Sequence, residues 1–222
     1  MRIRGVIFDL DGTLADTLAD LSDAVNAALH EFGYATHATT QIRAWIGEGL
    51  PLLCRRAMSN GDEVSAERLD SEVVGQVVTA VTAHYREHRL DKTRPYPGIP
   101  GLLDALTAQQ VQLAVLTNKP HEHTEPLVST LLGRYPWVVV QGCLPDGLRK
   151  PDPRTAWPIL SQMRLRASEV AMVGDSSIDV MTGRQAGLMT VGVTWGFRDR
   201  QNLIDAGVQY LIDRPEQLLQ LL

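Results

Sequence analysis

Val6-Ile7-Phe8-Asp9-Leu10-Asp11-Gly12-Thr13 decides how the rest of this 222-residue chain is read. Three apolar residues in succession predict a short buried strand, and two aspartates follow where it should end. Residues i and i+2 of extended backbone project to one side, so Asp9 and Asp11 offer two carboxylates to one point. Carboxylates held that close repel, and a cation is the usual remedy. Gly12 permits a sharp turn that brings backbone N–H groups near the same point. The combination suits phosphoryl chemistry assisted by a hard metal ion. A calcium loop also uses Asp-x-Asp-Gly, but it needs a preceding helix and Glu at position twelve. Here a strand-like run precedes, and the twelfth residue is Asp20.

Past Thr13 the period changes. Leu14, Leu18, Leu21, Val25, Ala28 and Phe32 recur at three- and four-residue steps, one face of a helix that Gly33 ends. Residues 42–46 and 52–58 read as further helices, the second opened by Pro51. Leu69, Val73, Val77, Val81 and Tyr85 repeat four apart and predict one long helix. Residues 15–94 are therefore expected to be all-helical. The breaker-rich Pro95-Tyr96-Pro97-Gly98-Ile99-Pro100-Gly101 reads as a boundary or hinge. Beyond it, strands at 111–116, 137–141, 170–173 and 189–193 alternate with helices at about 121–132, 153–163 and 178–186. Short elements near Tyr210 and Leu218 close the chain. This alternation predicts βαβ units and a parallel sheet, with the helical block inserted just after the first strand. Residues 1–14 and 95–222 would form a discontinuous core, and 15–94 a second domain.

Ligands of such sheets bind beyond the carboxyl ends of the strands. The strand before Thr117 ends in Thr117-Asn118-Lys119, and the one before Gly174 in Gly174-Asp175-Ser176-Ser177-Ile178-Asp179. Between them Lys150 lies in Arg149-Lys150-Pro151-Asp152-Pro153, a loop stiffened by two prolines. Taken singly, Thr117-Asn118 could be a helix cap, Lys150 a solvent-facing cation and Asp175 with Asp179 helix-start acids. Taken together, all fall at one end of the expected sheet, and their charges complement one another.

These four stretches resemble, in order, the motifs of the haloacid dehalogenase superfamily of hydrolases. Asp9-Leu10-Asp11-Gly12-Thr13 matches the first, Thr117 the second, Lys150 the third, and Gly174-Asp175 with Asp179 the fourth. The resemblance implies a Rossmann-like doubly wound parallel sheet with an inserted all-helical cap domain, and Mg²⁺ as cofactor. It implies catalytic roles for Asp9, Asp11 and Lys150: nucleophile, acid–base and charge-balancing cation. Metal ligands would be Asp9, the backbone carbonyl of Asp11, and Asp175, with Asp179 orienting a metal-bound water or binding directly. Thr117 and the amide of Asn118 would hold phosphate oxygens. Cap closure would exclude water, with hinge positions near Thr17 and 95–98.

Within the family, Asp11 argues against a dehalogenase, which has no phosphoryl leaving group to protonate. The lysines are Lys92, Lys119 and Lys150, which disfavours a phosphonatase needing a cap lysine. Gly47-Glu48-Gly49-Leu50-Pro51-Leu52-Leu53-Cys54-Arg55-Arg56-Ala57 resembles the cap loop and helix of bacterial phosphoglycolate phosphatases. Gly47 would let backbone approach the substrate, and Arg56 or Arg43 would neutralise a substrate carboxylate. Glu48 departs from the neutral asparagine common there. Its charge is expected to cost affinity for a doubly anionic substrate unless it turns away or pairs with an arginine. A phosphomutase, or a phosphatase of sugar phosphates, uses the same core residues. A phospho-accepting signalling module also uses aspartate, Mg²⁺ and lysine, but needs neither Asp11 nor an inserted domain.

The net charge of −5 supplies no basic footprint for nucleic acid. Cys54 and Cys143 have no metal-type spacing and fit a reduced cytoplasmic setting. The first apolar run is interrupted by Asp9 and Asp11, unlike a signal peptide, and no stretch is long enough to span a membrane. The expected partner is a small phosphorylated metabolite, bound by a monomer or homodimer.

Overall fold

The computed structural model describes residues 3–145 and 147–222. They divide into two units, one of Met1–Asp16 with Pro95–Leu222 and the other of Thr17–Arg94. In chain order the elements are β1 (Gly5–Phe8), β2 (Ala15–Asp16), α1 (Leu18–Glu31), α2 (Thr39–Trp45) and α3 (Leu50–Met58). Then come α4 (Glu63–Arg68), α5 (Ser71–His88), β3 (Arg94–Pro95), α6 (Ile99–Ala108), β4 (Gln112–Pro120) and α7 (His121–Leu132). The chain continues through β5 (Trp137–Cys143), α8 (Trp157–Met163), β6 (Val170–Gly174) and α9 (Ser177–Ala186). It finishes with β7 (Met189–Val193), α10 (Arg200–Asp205) and β8 (Tyr210–Ile212).

Among the described residues, the larger unit holds a six-stranded sheet in the order β5-β4-β1-β6-β7-β8, every neighbouring pair parallel. β1, β4 and β6 supply its centre because each carries an apolar run, residues 6–8, 113–116 and 170–173, that is buried throughout. Val6, Ile7, Leu113, Ala114, Val115, Val170 and Ala171 are fully buried, as strands covered on both faces must be. One layer packs Ile7, Ala114 and Met172 against Ile159 and Met163 of α8. This is the Rossmann-like α/β architecture expected from the sequence. Register then sets the site. Phe8 is level with Val115 of β4 and Val173 of β6, so Asp9 emerges beside Leu116 and Gly174. The Asp9 N–H extends the ladder to the Val173 carbonyl at 2.9 Å.

The smaller unit is helical. The helix expected over residues 69–85 is present as α5, beginning two residues later at Ser71, and the short α4 before it was not expected. Asp62 caps α4 and Asp70 caps α5, each accepting from backbone N–H groups, and Leu69 lies between them. The Asp70 cap sets the start of α5 just past the first member of the four-residue repeat. Val74, Val77, Val81 and Tyr85 still form the buried stripe of α5. Buried Asp20 of α1 accepts from the N–H groups of Lys92 at 3.0 Å and Thr93 at 2.8 Å, tying the end of this unit to its start. The short strands β2 and β3 and the helices α6 and α10 were not expected either. α6 starts inside the breaker-rich segment because Gly98, with φ +87°, turns the chain into a helix that admits Pro100 in its first turn. α10 is capped by Asp199, whose carboxylate accepts from Asn202 N–H. No helix among the described residues is long and apolar enough to cross a membrane.

Candidate active site

The carboxyl ends of β1, β4 and β6 bring Asp9, Asp11, Thr117, Lys119, Lys150, Asp175 and Asp179 into one neighbourhood of the larger unit. All but Asp11 are buried. Lys150 Nζ lies 2.8 Å from Asp9 Oδ1 and 2.6 Å from Asp179 Oδ1. Its loop is held by a reciprocal amide clamp. Asn118 Nδ2 donates to the Lys150 carbonyl at 3.0 Å, and Lys150 N–H donates to Asn118 Oδ1 at 2.8 Å. The Asn118 side chain is thus committed to the Lys150 backbone. Asp179 Oδ2 accepts from the Ser176 N–H at 3.1 Å and hydroxyl at 2.7 Å, a capping arrangement at the start of α9. Asp175 Oδ2 accepts from Phe197 N–H at 2.7 Å.

Glycines make this crowding feasible. Gly12 has φ +83°, and a Cβ there would meet Asp175 Oδ2 at 2.4 Å. A Cβ on Gly196 would meet Asp175 Cβ at 2.2 Å. Both positions need the absence of a side chain, the first for its backbone conformation as well.

Charge in this space is only partly balanced. Burial, then the Asp179 charge, pushes Asp9 up to about 6 against the opposing pull of Lys150. Burial, then Asp179 and Asp9, pushes Asp175 up to about 8. For Lys150, burial works against the ammonium form, but Asp179 and Asp9 outweigh it and hold its pKa above the ordinary lysine value. One carboxylate oxygen from each of Asp9, Asp175 and Asp179 lies within 4.8 Å of the others. Asp9 Oδ1 receives no well-aligned hydrogen bond. An all-oxygen, anionic, buried donor set of this kind fits a hard divalent cation such as Mg²⁺.

A proton and a cation would compete for the same oxygens. Because Asp175 is raised to about 8 and Asp9 to about 6, the ionised forms that could hold a cation are lost as pH falls through those two values in turn. Calorimetric titration of the metal-free protein is expected to show weaker Mg²⁺ binding at pH 5.5 than at pH 8, with proton release. Equal affinity at both values would place the ion elsewhere.

Asp11 stands apart from the three-carboxylate group. Lys119 Nζ donates to its Oδ1 at 3.0 Å and its Oδ2 at 3.2 Å. Sequence reasoning quoted Lys119 at the strand end and counted it among the lysines, but gave it no role. Its position one residue after Asn118 was the available signal, but a strand's i and i+2 rule cannot say which acid a long side chain reaches. The loop after β7 was missed as well. Phe197 N–H holds Asp175, and Trp195 Nε1–H donates to the Thr13 carbonyl at 3.1 Å. Gly196 at a strand's carboxyl end was the hint. Gly47 and Arg56 belong to the helical unit. There Gly47 has φ +125°, and Arg56 is 2.7 Å from Glu48 and 3.3 Å from Glu63. The arginine pairing that Glu48 required is therefore present.

Residues 6–193 match the family model described as haloacid dehalogenase-like hydrolase. The chain belongs to that family. It is 34% identical over 219 residues to phosphoglycolate phosphatase of Pseudomonas fluorescens strain Pf0-1, covering 97% of this chain and 78% of that protein. It is 31% identical over 215 residues to phosphoglycolate phosphatase of Haemophilus influenzae, covering 97% and 96%. Among solved structures, a predicted phosphoglycolate phosphatase from Haemophilus somnus 129PT superposes with a TM-score of 0.89. That pair is 27% identical, with 100% of this chain and 98% of that one covered. The protein is a hydrolase of this family, phosphoglycolate phosphatase-like by similarity.

Proposed function

We propose that this protein is a Mg²⁺-dependent phosphatase of small phosphomonoesters that works through a phosphoaspartyl intermediate on Asp9. The observation that carries the reading is Lys150 lodged between Asp9 and Asp179 with Asp175 alongside, at the carboxyl ends of β1 and β6. Asp9, Asp175 and the Asp11 carbonyl would hold the ion, and Asp179 would orient one of its waters. When bound, the ion supplies positive charge to the phosphoryl oxygens and to Asp9.

The chain's own residues do the rest. A carboxylate oxygen of Asp9 attacks phosphorus, the bond from phosphorus to the ester oxygen breaks, and Asp11 gives the departing alkoxide a proton. Water then attacks the same phosphorus and gives its proton to Asp11. The acyl–phosphate bond breaks, restoring the Asp9 carboxylate and releasing inorganic phosphate. Thr117 Oγ1 and the Asn118 amide hold phosphoryl oxygens, and Lys150 offsets their charge. Residues 15–94 serve as the cap that excludes water and chooses the substrate, in a cytoplasmic setting. Steady phosphate release from small esters in Mg²⁺, with a phosphoryl mass increment on the peptide containing Asp9 after rapid quenching, is the expected result. Stoichiometric phosphorylation without turnover would favour the signalling module.

The relatives' names point to phosphoglycolate, but the ion pairs of Arg56 favour a second reading of the substrate. With Glu48 and Glu63 both drawn to it, Arg56 has little charge to spare for a substrate carboxylate. Esters with uncharged leaving groups, sugar phosphates among them, then compete well. Glu48→Asn is expected to raise kcat/KM for phosphoglycolate relative to glycerol phosphate by up to about fivefold, one exposed charge-pair contribution. An unchanged ratio would remove Glu48 and Arg56 from substrate selection.

A further inference from the structure

We infer that Lys119 is the positioning residue for Asp11, holding the acid–base carboxylate toward the leaving group and away from the metal-binding acids. The inference rests on the roles proposed above for Asp9 and Asp11. Asp9 and Asp11 leave the same strand two residues apart, so a single cation could draw both to itself. The structure divides them between two buried lysines. Lys150 takes Asp9 and Asp179. Lys119 takes both oxygens of Asp11, with side chains only 4% and 14% exposed.

The backbone around Lys119 is equally fixed. β4 continues to Pro120, well past Val115, the partner of Phe8 at the end of β1. Lys119 N–H donates to Thr117 Oγ1 at 3.3 Å, and its carbonyl accepts from Thr124 Oγ1 of α7 at 3.2 Å. A Cβ on Gly142 of β5 would meet that carbonyl at 2.8 Å, so the neighbouring strand also abuts it. Thr117-Asn118-Lys119 thus has three assignments: a phosphate contact, the clamp on Lys150, and the anchor of Asp11. A general acid must hold its position to within hydrogen-bond reach of the oxygen it protonates. The grip of a buried ammonium on both oxygens places the carboxylate form, and its contact to one oxygen keeps Asp11 in place when the other carries the proton. The competing account is that Lys119 touches the phosphoryl group or another part of the substrate directly.

Leaving-group dependence separates the two, because 4-nitrophenolate departs without a proton and an alkoxide does not. The measurement is kcat/KM, which reports the steps through phosphorylation of Asp9, for glycerol phosphate and 4-nitrophenyl phosphate. Lys119→Met is expected to lower the value for the alkyl ester about 10²-fold and that for the nitrophenyl ester far less. In an Asp11→Asn background the same substitution should change the alkyl value by no more than about twofold. Lys119→Arg should recover part of the loss. Mn²⁺ affinity of the metal-free variants, read by electron paramagnetic resonance, should match the parent. Equal loss for both esters, an undiminished loss in the Asp11→Asn background, or weakened Mn²⁺ binding would each overturn the proposal. Should Lys119→Met not fold, the comparison is made with Lys119→Gln. Failure of every Lys119 variant to fold would assign the pair to the fold alone and also overturn it. None of these outcomes touches the phosphoaspartyl reading, which fails separately if Asp9→Asn turns over both esters at the parental rate.

Discussion

Asp9→Asn is expected to reduce phosphate release by at least about 10⁴-fold, since the amide cannot attack phosphorus and no other residue takes over the nucleophile's part. The loss should fall on kcat with every ester alike. Stability should move the other way or not at all. Asp9 titrates at about 6 in the fold, with burial and the Asp179 charge as the leading causes. Its folded value thus lies above its ordinary one near 3.8. An acid raised on folding binds its proton more tightly in the folded state, so the metal-free fold loses stability as pH climbs from about 4 to about 6. Asparagine carries no such charge and removes that penalty. Thermal unfolding of metal-free Asp9→Asn at pH 8 should therefore occur no lower than that of the parent. Activity within tenfold of the parent would dismiss Asp9 as the nucleophile. A marked fall in unfolding temperature with activity lost would leave the variant uninformative about chemistry, and the quenched-phosphopeptide measurement would then decide.

Lys150→Met should damage both catalysis and the fold. Removing the cation leaves Asp9, Asp175 and Asp179 buried together with their charges unopposed. Breaking a buried ion pair from one side typically costs about 3–5 kcal/mol. The cost has a pH signature. Lys150 has its pKa raised above the usual lysine value, so its own charge is constant throughout the testable range. What varies is the acids it serves: near pH 5 Asp9 and Asp175 are largely protonated in the metal-free fold, whereas near pH 8 Asp9 is ionised and Asp175 is partly so. Destabilisation should therefore be larger at pH 8 than at pH 5, and Mg²⁺ should restore part of it by serving the same oxygens. Phosphate release should fall about 10²–10³-fold even in the folded fraction, the usual effect of deleting one electrostatic stabiliser of a developing charge. A variant as stable as the parent at pH 8 would show that Lys150 is not what keeps these acids together.

The chain's local patterns determined a good deal by themselves. Apolar runs that stop at Phe8, Leu116 and Val173 marked strands buried on both faces, because a central parallel strand must be apolar along its length. The helices between them followed from three- and four-residue spacing. Asp9, Thr117, Lys150, Asp175 and Asp179 were legible as a set, since each follows a strand or sits in a stiff loop at the same end of a parallel sheet. Helix boundaries were less legible where capping residues overrode periodicity, as Asp70 did at the start of α5, and where Gly98 opened α6 among apparent breakers.

Which charge meets which was decided only in three dimensions. Lys119 reaches Asp11 and Lys150 reaches Asp9 with Asp179, although nothing in their sequence separations says so. Glu48 turns to Arg56, and the Phe197 amide closes on Asp175. Backbone periodicity is a local property and can be read along the chain. The pairing of long, flexible charged side chains depends on register between distant strands and on a few ångströms of space that glycines leave open, and only the folded chain sets those.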